Sequence, residues 1–594
     1  MSRPNRSLLV ALAACAGLAT TATSQDQIHP ELGRFSTAPP VGSFAGGGVF
    51  NDAPNMLLGG GALNSRMDST DIRVNQVTSS PQNETSFAVN PNNRDNWVGV
   101  ANDYRNGSVE IGWYSTLDGG TTWTTNTFGI DSSFSFSGDP CVAFAADGTA
   151  VIVGMQYQGA GGSRVTSYRS LDGGLTWTKS FVDLDSSNDK PQVDADLSGT
   201  NPGSLTTAWD RFGTTGGDPI FASTSSDTGA TWSTGQRISD SSSVNDISPD
   251  VAYGANGEVY VMWADRGSNK RVLFDRSFDN GATWGTDVLV ANFGQVPSPI
   301  PGSVFRMFDI FAMDADQSSG PYSGNIYVAY HTWTGGQADV RVATSSDNGS
   351  TWSQNVLVNN DGANFDQVFP GVVVDPAGNV NVTFFDRRLD PSNYLLWTWL
   401  GRSSDGGQSW SNTRASDVGW NHASTEFSGT FIGDYIDVEA SDRSIFPFWV
   451  DGRSGNTQDV YTDRMNMALS TDVETIPAGV GGSAQISVNI GPNYAGAKYL
   501  VVASASGTSP GVIVSGVDIP LNPDVVTDLS QLFANTAIFQ NNVGVLDATG
   551  SATVGFDTLG PRPFLAGMTW DWVCVVLDAG NNVVHSTAPT SIGF

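Results

Sequence analysis

The segment 419–435, GWNHASTEFSGTFIGDY, holds the side chains of this sequence best suited to chemistry. An imidazole moves protons near neutral pH, a phenol serves as nucleophile or acid, and a carboxylate can assist either group. Long irregular loops on a rigid scaffold are also where binding and catalytic residues concentrate. The candidates in this loop are Trp420, His422, Glu426 and Tyr435.

Two further candidates depart from a pattern that the rest of the chain repeats. His331, in VAYHTW, stands where the corresponding runs end in Asp, and Arg306, in VFRMFD, is the only Arg placed just before the first run of a repeat. A guanidinium can hold a carboxylate in bidentate fashion. We interpret both as candidate site residues, and the alternative is that either fixes a loop or fills the core.

An acidic residue precedes or begins the first run of every repeat. Carboxylates from several repeats could meet around a central axis and hold Ca²⁺ through oxygen ligands. The alternative is that each carboxylate caps the backbone of its own strand, and no EF-hand spacing favours the metal. The acids are Glu84, Asp139, Asp189, Asp246, Asp309, Asp366 and Asp434, of which Asp246, Asp309, Asp366 and Asp434 are the candidate metal ligands.

Asp and Arg recur together at the end of the second run, in NDYR, WDR, WADR, FFDR and VDGR. Repetition favours a structural use, and we predict charge pairs between neighbouring repeats. A ring of arginines near an axis could also receive an anion.

The elements that position these residues follow from a phrase that returns seven times between about 85 and 453, at intervals of about 50 to 65 residues. Each copy has short alternating runs separated by turns, which is typical of four antiparallel strands. Such units repeated at this period predict the blades of a β-propeller. The last copy lacks a fourth run, and DIRVNQVTS at 71–79 is predicted to supply it. We therefore predict an all-β chain with a seven-bladed propeller at 71–468, and six blades are the alternative.

Six near-copies of one short frame, TSSDNGSTW at 344–352 among them, lie between the third and fourth runs. Gly supplies the positive φ of a tight turn, Asp accepts backbone N–H groups, and Trp packs between strands. A frame present six times cannot be one active site, so we assign no chemistry to Asp118, Asp172, Asp227, Asp279, Asp347 and Asp405.

These frames resemble the Asp-box, or BNR repeat, of sialidases and related propellers. The resemblance implies a glycan-directed active site with three arginines, a Tyr nucleophile assisted by a Glu, and an Asp acid/base. Tyr435 with Glu426, and Arg306 with two of the repeated arginines, are the residues that could fill these roles. The family's early arginine motif has no clean counterpart beyond Arg73 in IRVNQ, and sialidases have six blades. The resemblance therefore implies the fold and leaves the reaction open.

The two ends of the chain read differently from the propeller. Residues 1–24 resemble a bacterial export signal, and LAAC resembles a lipobox that would lipidate Cys15. Residues 25–70 are predicted to be a linker or arm. Residues 471–594 predict a C-terminal β-sandwich with one helical piece at 528–536, and they resemble a module of secreted planctomycete proteins. We predict a secreted or surface-attached protein, with outer-membrane lipoprotein as the alternative.

A net charge of −31 argues against nucleic acid and anionic lipid as partners. Cys141 and Cys574 fall in different predicted domains, so buried thiols are expected rather than a disulfide. The leading hypothesis is a monomeric exported propeller that binds or hydrolyses an extracellular glycan. One alternative is a non-catalytic adhesion platform. The other is a polysaccharide lyase with His331 or His422 as base and Tyr435 as acid.

Overall fold

The structure, a computed structural model, describes residues 71–158, 162–184, 187–212, 217–240, 245–353, 355–362, 364–455 and 457–594. The predicted signal peptide, the arm at 25–70 and the lipidation site at Cys15 lie outside the described residues. The described chain is all-β apart from one α-helix and a few 3₁₀ turns, as the alternating runs predict. Within it, no helix has the length and apolar character needed to span a membrane.

Seven four-stranded antiparallel sheets follow one another between residues 72 and 462, and we number them as blades 1 to 7. The first strand of each blade contacts the first strand of the next, and blade 7 contacts blade 1, so the seven first strands surround one axis. Strands β2 to β17 build blades 1 to 4: Gln82–Val89, Trp97–Asp103, Glu110–Thr116, Thr124–Thr127; Phe136–Phe144, Ala150–Tyr157, Ser163–Ser170, Thr178–Asp183; Asn188–Ala195, Leu205–Arg211, Ile220–Ser225, Gln236–Arg237; Asp246–Tyr253, Val259–Asp265, Arg271–Ser277, Val288–Asn292.

Blades 5 to 7 have the same order of strands, and the last of them is completed by the N-terminal strand. Ile72 pairs with Thr462 and Arg73 with Tyr461, so the predicted closure by residues 71–79 is confirmed. The strands β18 to β28 and the closing strand β1 are Ala312–Ala315, Ile326–Thr334, Gln337–Ser345, Val356–Leu357; Gln367–Val374, Val380–Asp386, Trp397–Ser403, Ser411–Arg414; Asp437–Ala440, Ile445–Asp451, Asp459–Thr462 and Ile72–Arg73.

The cores of the propeller lie between adjacent blades. One apolar cluster, for example, joins Ala208 of blade 3 to Val261 and Trp263 of blade 4. The second strands read as nearly continuous apolar runs because both of their faces are covered by neighbouring blades. Each blade is thus fixed by its two neighbours, which holds the loops at the axis in place.

The six repeated frames form one type of turn, which we call the Asp-Gly-Trp turns. Asp347 accepts hydrogen bonds from the Thr351 backbone N–H at 2.8 Å and the Thr351 hydroxyl at 2.6 Å, and the other five turns repeat both bonds. Gly349 has φ = +77°. Trp352 meets Phe274 of the preceding blade with ring centroids 5.3 Å apart. The turns therefore join strands and blades.

The Asp-Gly-Trp turns lie at the end of the propeller where the inner strands finish, and we call this end the far rim. In blade 1 the Gly119 N–H donates to the carbonyl of Asp95 at 2.8 Å, in the turn that follows the first strand. The loop at 419–435 meets the beginning of the first strands. Gln458 donates to the Phe431 carbonyl of the loop, and the Gln458 carbonyl accepts from the N–H of Gln82, which begins the first strand of blade 1. The two lie at opposite ends, as predicted.

Residues from 469 onward form a sandwich of two principal sheets around one apolar core that includes Ile486 and Val554 from one sheet and Val501 and Trp572 from the other. Its strands β29 to β39 are Leu469–Thr471, Ser483–Asn489, Lys498–Ser504, Val512–Val514, Val517–Ile519, Phe539–Gln540, Val543–Val545, Ser551–Asp557, Thr569–Leu577, Val583–Ser586 and Thr590–Gly593.

The helix of the sandwich, α1, spans Val525–Leu532 and begins earlier than the predicted 528–536. Asp524 caps it by accepting from the Val526 and Thr527 backbone N–H groups. The Thr527 hydroxyl accepts in return from the Asp524 N–H at 3.1 Å. This capping box fixes the start, which the apolar pattern alone placed too late.

Candidate functional site

A β-bulge near the start of the first strand shapes the axis of the propeller. In five blades it places a residue other than glycine at positive φ: Glu84 (56°), Asp139 (50°), Lys190 (47°), Ser248 (54°) and Phe369 (55°). Bulges redirect side chains and recur beside functional sites. We call the end of the axis at these bulges the axial mouth, formed by Glu84, Asp139, Asp189, Lys190 and Asp434.

The cations of the axial mouth are held by Asp434. Lys190 Nζ lies 3.1 Å from Asp434 Oδ2, and Arg306 donates to both Asp434 oxygens, from Nε at 2.8 Å and from Nη2 at 2.5 Å. Glu84 Oε1 is farther away, 3.9 Å from each cation. Burial opposes ionisation of Asp434, yet Lys190 and Arg306 together hold its pKa below the ordinary value.

Three carboxyl groups form a chain beside this ion pair. Asp139 is within hydrogen-bonding reach of both Glu84 and Asp189. Burial, then Asp139, raises the pKa of Glu84, and the same two causes raise the pKa of Asp189 to about 7. Burial also disfavours ionisation of Asp139, but Lys190 and the neighbouring carboxyl groups lower its pKa. Glu84 and Asp189 thus hold a proton more readily than Asp139 does.

Asn102 of the second strand locks this chain of carboxyl groups to the backbone. Its amide donates to Glu84 Oε2 at 2.5 Å, and its oxygen accepts from the Asp139 N–H at 2.9 Å. Blade 3 has Asp210 at the same register, and burial raises the pKa of Asp210 as well.

Aromatic rings border the carboxyl groups. Tyr104 packs on Phe427 with centroids 5.3 Å apart, and Tyr157 stacks on Phe136 at 5.4 Å. Burial, followed by the nearby charges of Glu84 and Asp139, raises the pKa of both tyrosines, which keeps their hydroxyls protonated. Phe427 is 40% exposed. The mouth therefore offers acceptors, donors and open ring faces together.

The structure brings two of the five predicted catalytic residues to the mouth. Arg306 arrives through its ion pair with Asp434, and Tyr435 lies beneath it, with Lys190 Nζ 5.8 Å from the ring centroid. Tyr435 is buried, its hydroxyl has no hydrogen-bond partner among the described residues, and burial raises its pKa well above the usual value. Glu426 begins a 3₁₀ turn, Glu426–Gly429, and the placement of its side chain lies outside the described part.

The two predicted histidines do not reach the mouth. His331 is fully buried beside Phe311, and burial lowers its pKa to about 3. His422 packs against Phe305 and Tyr394, and burial lowers its pKa to about 4. Both are held neutral in aromatic surroundings, which is the alternative of core packing that the sequence left open.

Three of the four predicted metal ligands belong to separate ion pairs. Asp309 pairs with Arg266 at 3.0 Å, Asp366 with Arg387 at 3.2 Å, and Asp434 with Lys190. Asp246 is fully buried. The acids at the strand starts also differ in their position relative to the bulge. Glu84 and Asp139 are bulge residues. Asp189 lies one residue before the bulge of its blade, Asp246 two residues before and Asp366 three residues before. Among the described residues no group of three or more His, Cys, Asp or Glu is placed to hold a metal ion. Ca²⁺ at these four residues stays a prediction.

The repeated Asp-Arg pairs are made mostly within one blade rather than between blades as predicted. Arg105 binds Asp103 at 2.6 Å and Arg453 binds Asp451 at 2.6 Å. Only short spacers separate these partners, so the pair closes locally before the neighbouring blade comes within reach. In FFDR the predicted Arg387 binds Asp366 of its own blade instead, and Asp386 binds the next residue, Arg388, at 2.7 Å. Two arginines do pair between blades: Arg211 with Asp183 of blade 2, and Arg266 of blade 4 with Asp309 before blade 5.

Beneath the mouth, a partly open cavity of about 60 Å³ lies on the axis. Its lining includes Lys190, Ser248, Asp250, Tyr435 and Asp437. The sequence pattern did not single out Asp250 and Asp437, which stand among apolar residues of first strands. They could have been found from the sequence as charged residues in first strands, where coverage on both faces predicts apolar side chains.

No family model and no curated protein matches the chain. A solved structure of a protein of unknown function from Dyadobacter fermentans covers 68% of this chain and 98% of its own at 14% identity, with a TM-score of 0.40. The Hadza microbial sialidase Hz136 covers 63% and 73% at 15% identity and a TM-score of 0.36. A Penicillium chrysogenum α-L-arabinanase complexed with arabinobiose covers 54% and 94% at 14% identity and a TM-score of 0.36. Likeness at this distance transfers no residue and no reaction.

Proposed function

We propose that the axial mouth is a glycan-binding site that accepts a neutral or amino sugar. The observation that carries the proposal is the chain of three carboxyl groups, Glu84, Asp139 and Asp189, bordered by the rings of Tyr104 and Tyr157. Asp139 and Asp189 are partly exposed. Carboxyl groups accept hydrogen bonds from sugar hydroxyls, and ring faces pack on the apolar face of a sugar.

The charge of the mouth favours a sugar without an acid group. Four carboxyl groups, Glu84, Asp139, Asp189 and Asp434, face two cations, Lys190 and Arg306, and both cations already contact Asp434. A sialoside or uronate would bring a further negative charge to a site whose described cations are all paired with carboxylates. An ammonium or a neutral hydroxyl meets no such repulsion.

The same geometry weighs against the chemistry that the sialidase resemblance implies. A Tyr nucleophile needs a base and solvent-accessible oxygen, whereas the Tyr435 hydroxyl is buried and its pKa is raised. Arg306 is held by Asp434, and Arg266, which lies over the same Phe308 ring, is paired with Asp309. We therefore assign binding to the carboxyl groups and rings, with Tyr435 beneath them.

Isothermal titration with neutral, amino and sialylated oligosaccharides tests this assignment. We expect Asp189→Asn and Tyr157→Ala each to weaken binding of the preferred sugar by at least about tenfold, the loss of a buried hydrogen bond or ring contact. Asp147→Asn is the matched control, because this exposed far-rim carboxylate only accepts from the Thr149 N–H and Asn keeps that acceptor. Preference for the sialylated sugar, or unchanged binding in both mouth variants, would overturn the proposal.

Glycoside hydrolysis at the mouth is a second candidate, and one observation favours it. Asp189 has a pKa of about 7 while that of the adjacent Asp139 is lowered, which suits an acid and a base at neutral pH. The Asp189 O–H would protonate the leaving oxygen and Asp139 would take a proton from the attacking water. Glycosidase carboxyl pairs stand roughly 5–9.5 Å apart, so a sugar would have to part these two groups.

A neutral aryl glycoside distinguishes hydrolysis from binding alone. If hydrolysis occurs, kcat should fall above about pH 7 as Asp189 loses its proton, and Asp189→Asn should abolish turnover. Absence of turnover with retained sugar binding leaves the non-catalytic platform as the function.

We further propose that the Asp-Gly-Trp turns are Asp-boxes and that the chain meets its glycan outside the cytoplasm as a monomer. The shared hydrogen bonds of the six turns support the first statement. The signal-like N-terminus supports the second. Detection of the mature chain in culture medium or on the cell surface, with the N-terminal residue and any lipid at Cys15 identified by mass spectrometry, tests the second statement.

A further inference from the structure

Five carboxyl groups converge on the axis beneath the mouth, and we call them the axial acids: Asp194, Asp250, Asp314, Asp437 and Glu439. They come from blades 3, 4, 5 and 7, and electrostatic interactions connect them: Asp437 and Asp194 act on Asp250, and Asp314 acts on Glu439. None of the five forms an ion pair with a side chain of the described residues. Lys190 also lines the cavity, but its ammonium is paired with Asp434, so the axial acids outnumber the cations near them.

Backbone N–H groups fix the orientation of these carboxyl groups. Asp250 accepts from Val251 at 2.9 Å and from Met313 of the next blade at 2.7 Å. Asp437 accepts from Val438 at 2.8 Å and from Phe87 of blade 1 at 2.9 Å. Asp437 also has a hydrogen bond with the Ser86 side chain, and because a carboxylate offers about four acceptor sites, both groups keep acceptor capacity. The carboxyl groups are thus held rigidly with acceptor capacity to spare.

Two buried hydroxyls point to a ligand in the same cavity. Ser248 Oγ and the Tyr435 hydroxyl have no hydrogen-bond partner among the described residues, and the two residues are 3% and 9% exposed. Both line the cavity together with Asp250 and Asp437. Buried polar groups are normally satisfied by protein, water or an ion. A volume of about 60 Å³ has room for roughly four to six water-sized groups.

We propose that this axial cavity binds a partly hydrated divalent cation, Ca²⁺ in the first instance, through Asp250 and Asp437. Ser248 and Tyr435 would bind the ion or its waters. Ca²⁺ accepts six to eight oxygen ligands in irregular geometry and tolerates water among them. This suits a cavity in which two carboxylates and two hydroxyls come from different blades. The site is distinct from the four acids at the strand starts, and its occupation does not depend on the glycan proposal.

Calorimetric titration of the chelator-treated full chain with CaCl₂ in about 150 mM NaCl tests the site, since salt screens diffuse binding to the acidic surface. We expect one saturable site with Kd below about 1 mM, the range of extracellular Ca²⁺ modules. Asp250→Asn and Asp437→Asn should each weaken it at least about tenfold. Asp147→Asn removes the same charge at the far rim and should leave Kd within about twofold.

Ser248→Ala keeps the test decisive if the carboxyl variants fold poorly. It removes a hydroxyl that has no partner, so the apo melting temperature should not fall, while Ca²⁺ binding should weaken severalfold. Three results would overturn the proposal: no saturable binding up to about 10 mM Ca²⁺, unchanged affinity in well-folded Asp250→Asn and Ser248→Ala, or equal losses in these variants and Asp147→Asn.

Discussion

The two ends of the propeller use repetition in opposite ways. At the far rim six turns repeat the same hydrogen bonds, down to the hydroxyl that binds the Asp at 2.5–2.6 Å in every turn. At the axial mouth five blades share a bulge but carry different side chains on it: Glu84, Asp139, Lys190, Ser248 and Phe369.

This difference separates groups that hold the fold from groups that can act on a ligand. A residue repeated in every blade satisfies the same local backbone each time and is explained by that backbone. Where the blades carry different residues at one shared backbone position, the backbone does not account for the choice. The contacts between those side chains and their neighbours account for it, as in the ion pairs of Lys190 with Asp434 and Glu84. Substitutions at the rim should therefore change stability alone, and substitutions at the mouth should change binding as well.

The largest effect is expected at the mouth, from Lys190→Met. This buried ammonium faces Asp434, Asp139 and Glu84, and those charges raise its pKa against the opposing effect of burial. Removing one partner of a buried ion pair costs about 3–5 kcal/mol, because the remaining charges lose their compensation. Urea denaturation at pH 7 measures the loss. Lys498→Met, at an exposed lysine that donates to Asn581 at 2.8 Å, should cost less than about 1 kcal/mol. Similar losses in both variants would contradict a special role for the mouth.

The far rim should show a comparable loss of stability without a loss of binding. Trp352 is half-buried and packs on Phe274 of the preceding blade. Trp352→Ala should therefore cost about 3 kcal/mol, the lower end for large aromatic side chains. Thermal unfolding and sugar titration on the same samples separate the two effects. If melting were unchanged and sugar binding lost, the turn would be a ligand site.

His331 is a buried residue at a strand position that serves the mouth in another blade. It occupies the second-strand position that Asn102 holds in blade 1, but it is buried beside Phe311 with a pKa lowered to about 3. The unfolded chain binds a proton near pH 6.5 and the folded chain does not, so stability is lost as pH falls from 6.5 towards 3. His331→Leu should raise the free energy of unfolding by about 2–3 kcal/mol at pH 4 relative to pH 8. An unaltered acid denaturation profile would contradict a neutral buried imidazole.

The repeats made most of the fold predictable from the sequence. The order of strands, the closing strand at Ile72–Arg73 and the two opposite ends follow from a period that recurs seven times. The site was less predictable because the bulge shifts register. The sequence grouped Glu84 and Asp366 as equivalent acids, yet one lies on the bulge and the other three residues before it. Lys190 was not a candidate, since a single Lys among acids has no pattern until the blades bring Asp434 within 3.1 Å.

Replacement of Asp by Asn at the far rim and at the mouth has the smallest expected effect, but the two substitutions should change stability in opposite directions. Asp347→Asn should lower stability by about 1 kcal/mol at every pH above 5, because the amide cannot accept from both the Thr351 N–H and its hydroxyl as the carboxylate does. Asp189→Asn should have the opposite sign. The folded pKa of Asp189 is raised to about 7, so the folded chain holds a proton that the unfolded chain releases, and stability falls as pH rises from about 4 to 7. Removing the carboxyl should therefore stabilise the protein at pH 8 by about 1 kcal/mol, after allowance for partial exposure, while sugar binding is lost. Loss of stability at pH 8 in both variants would show that Asp189 holds the fold as Asp347 does.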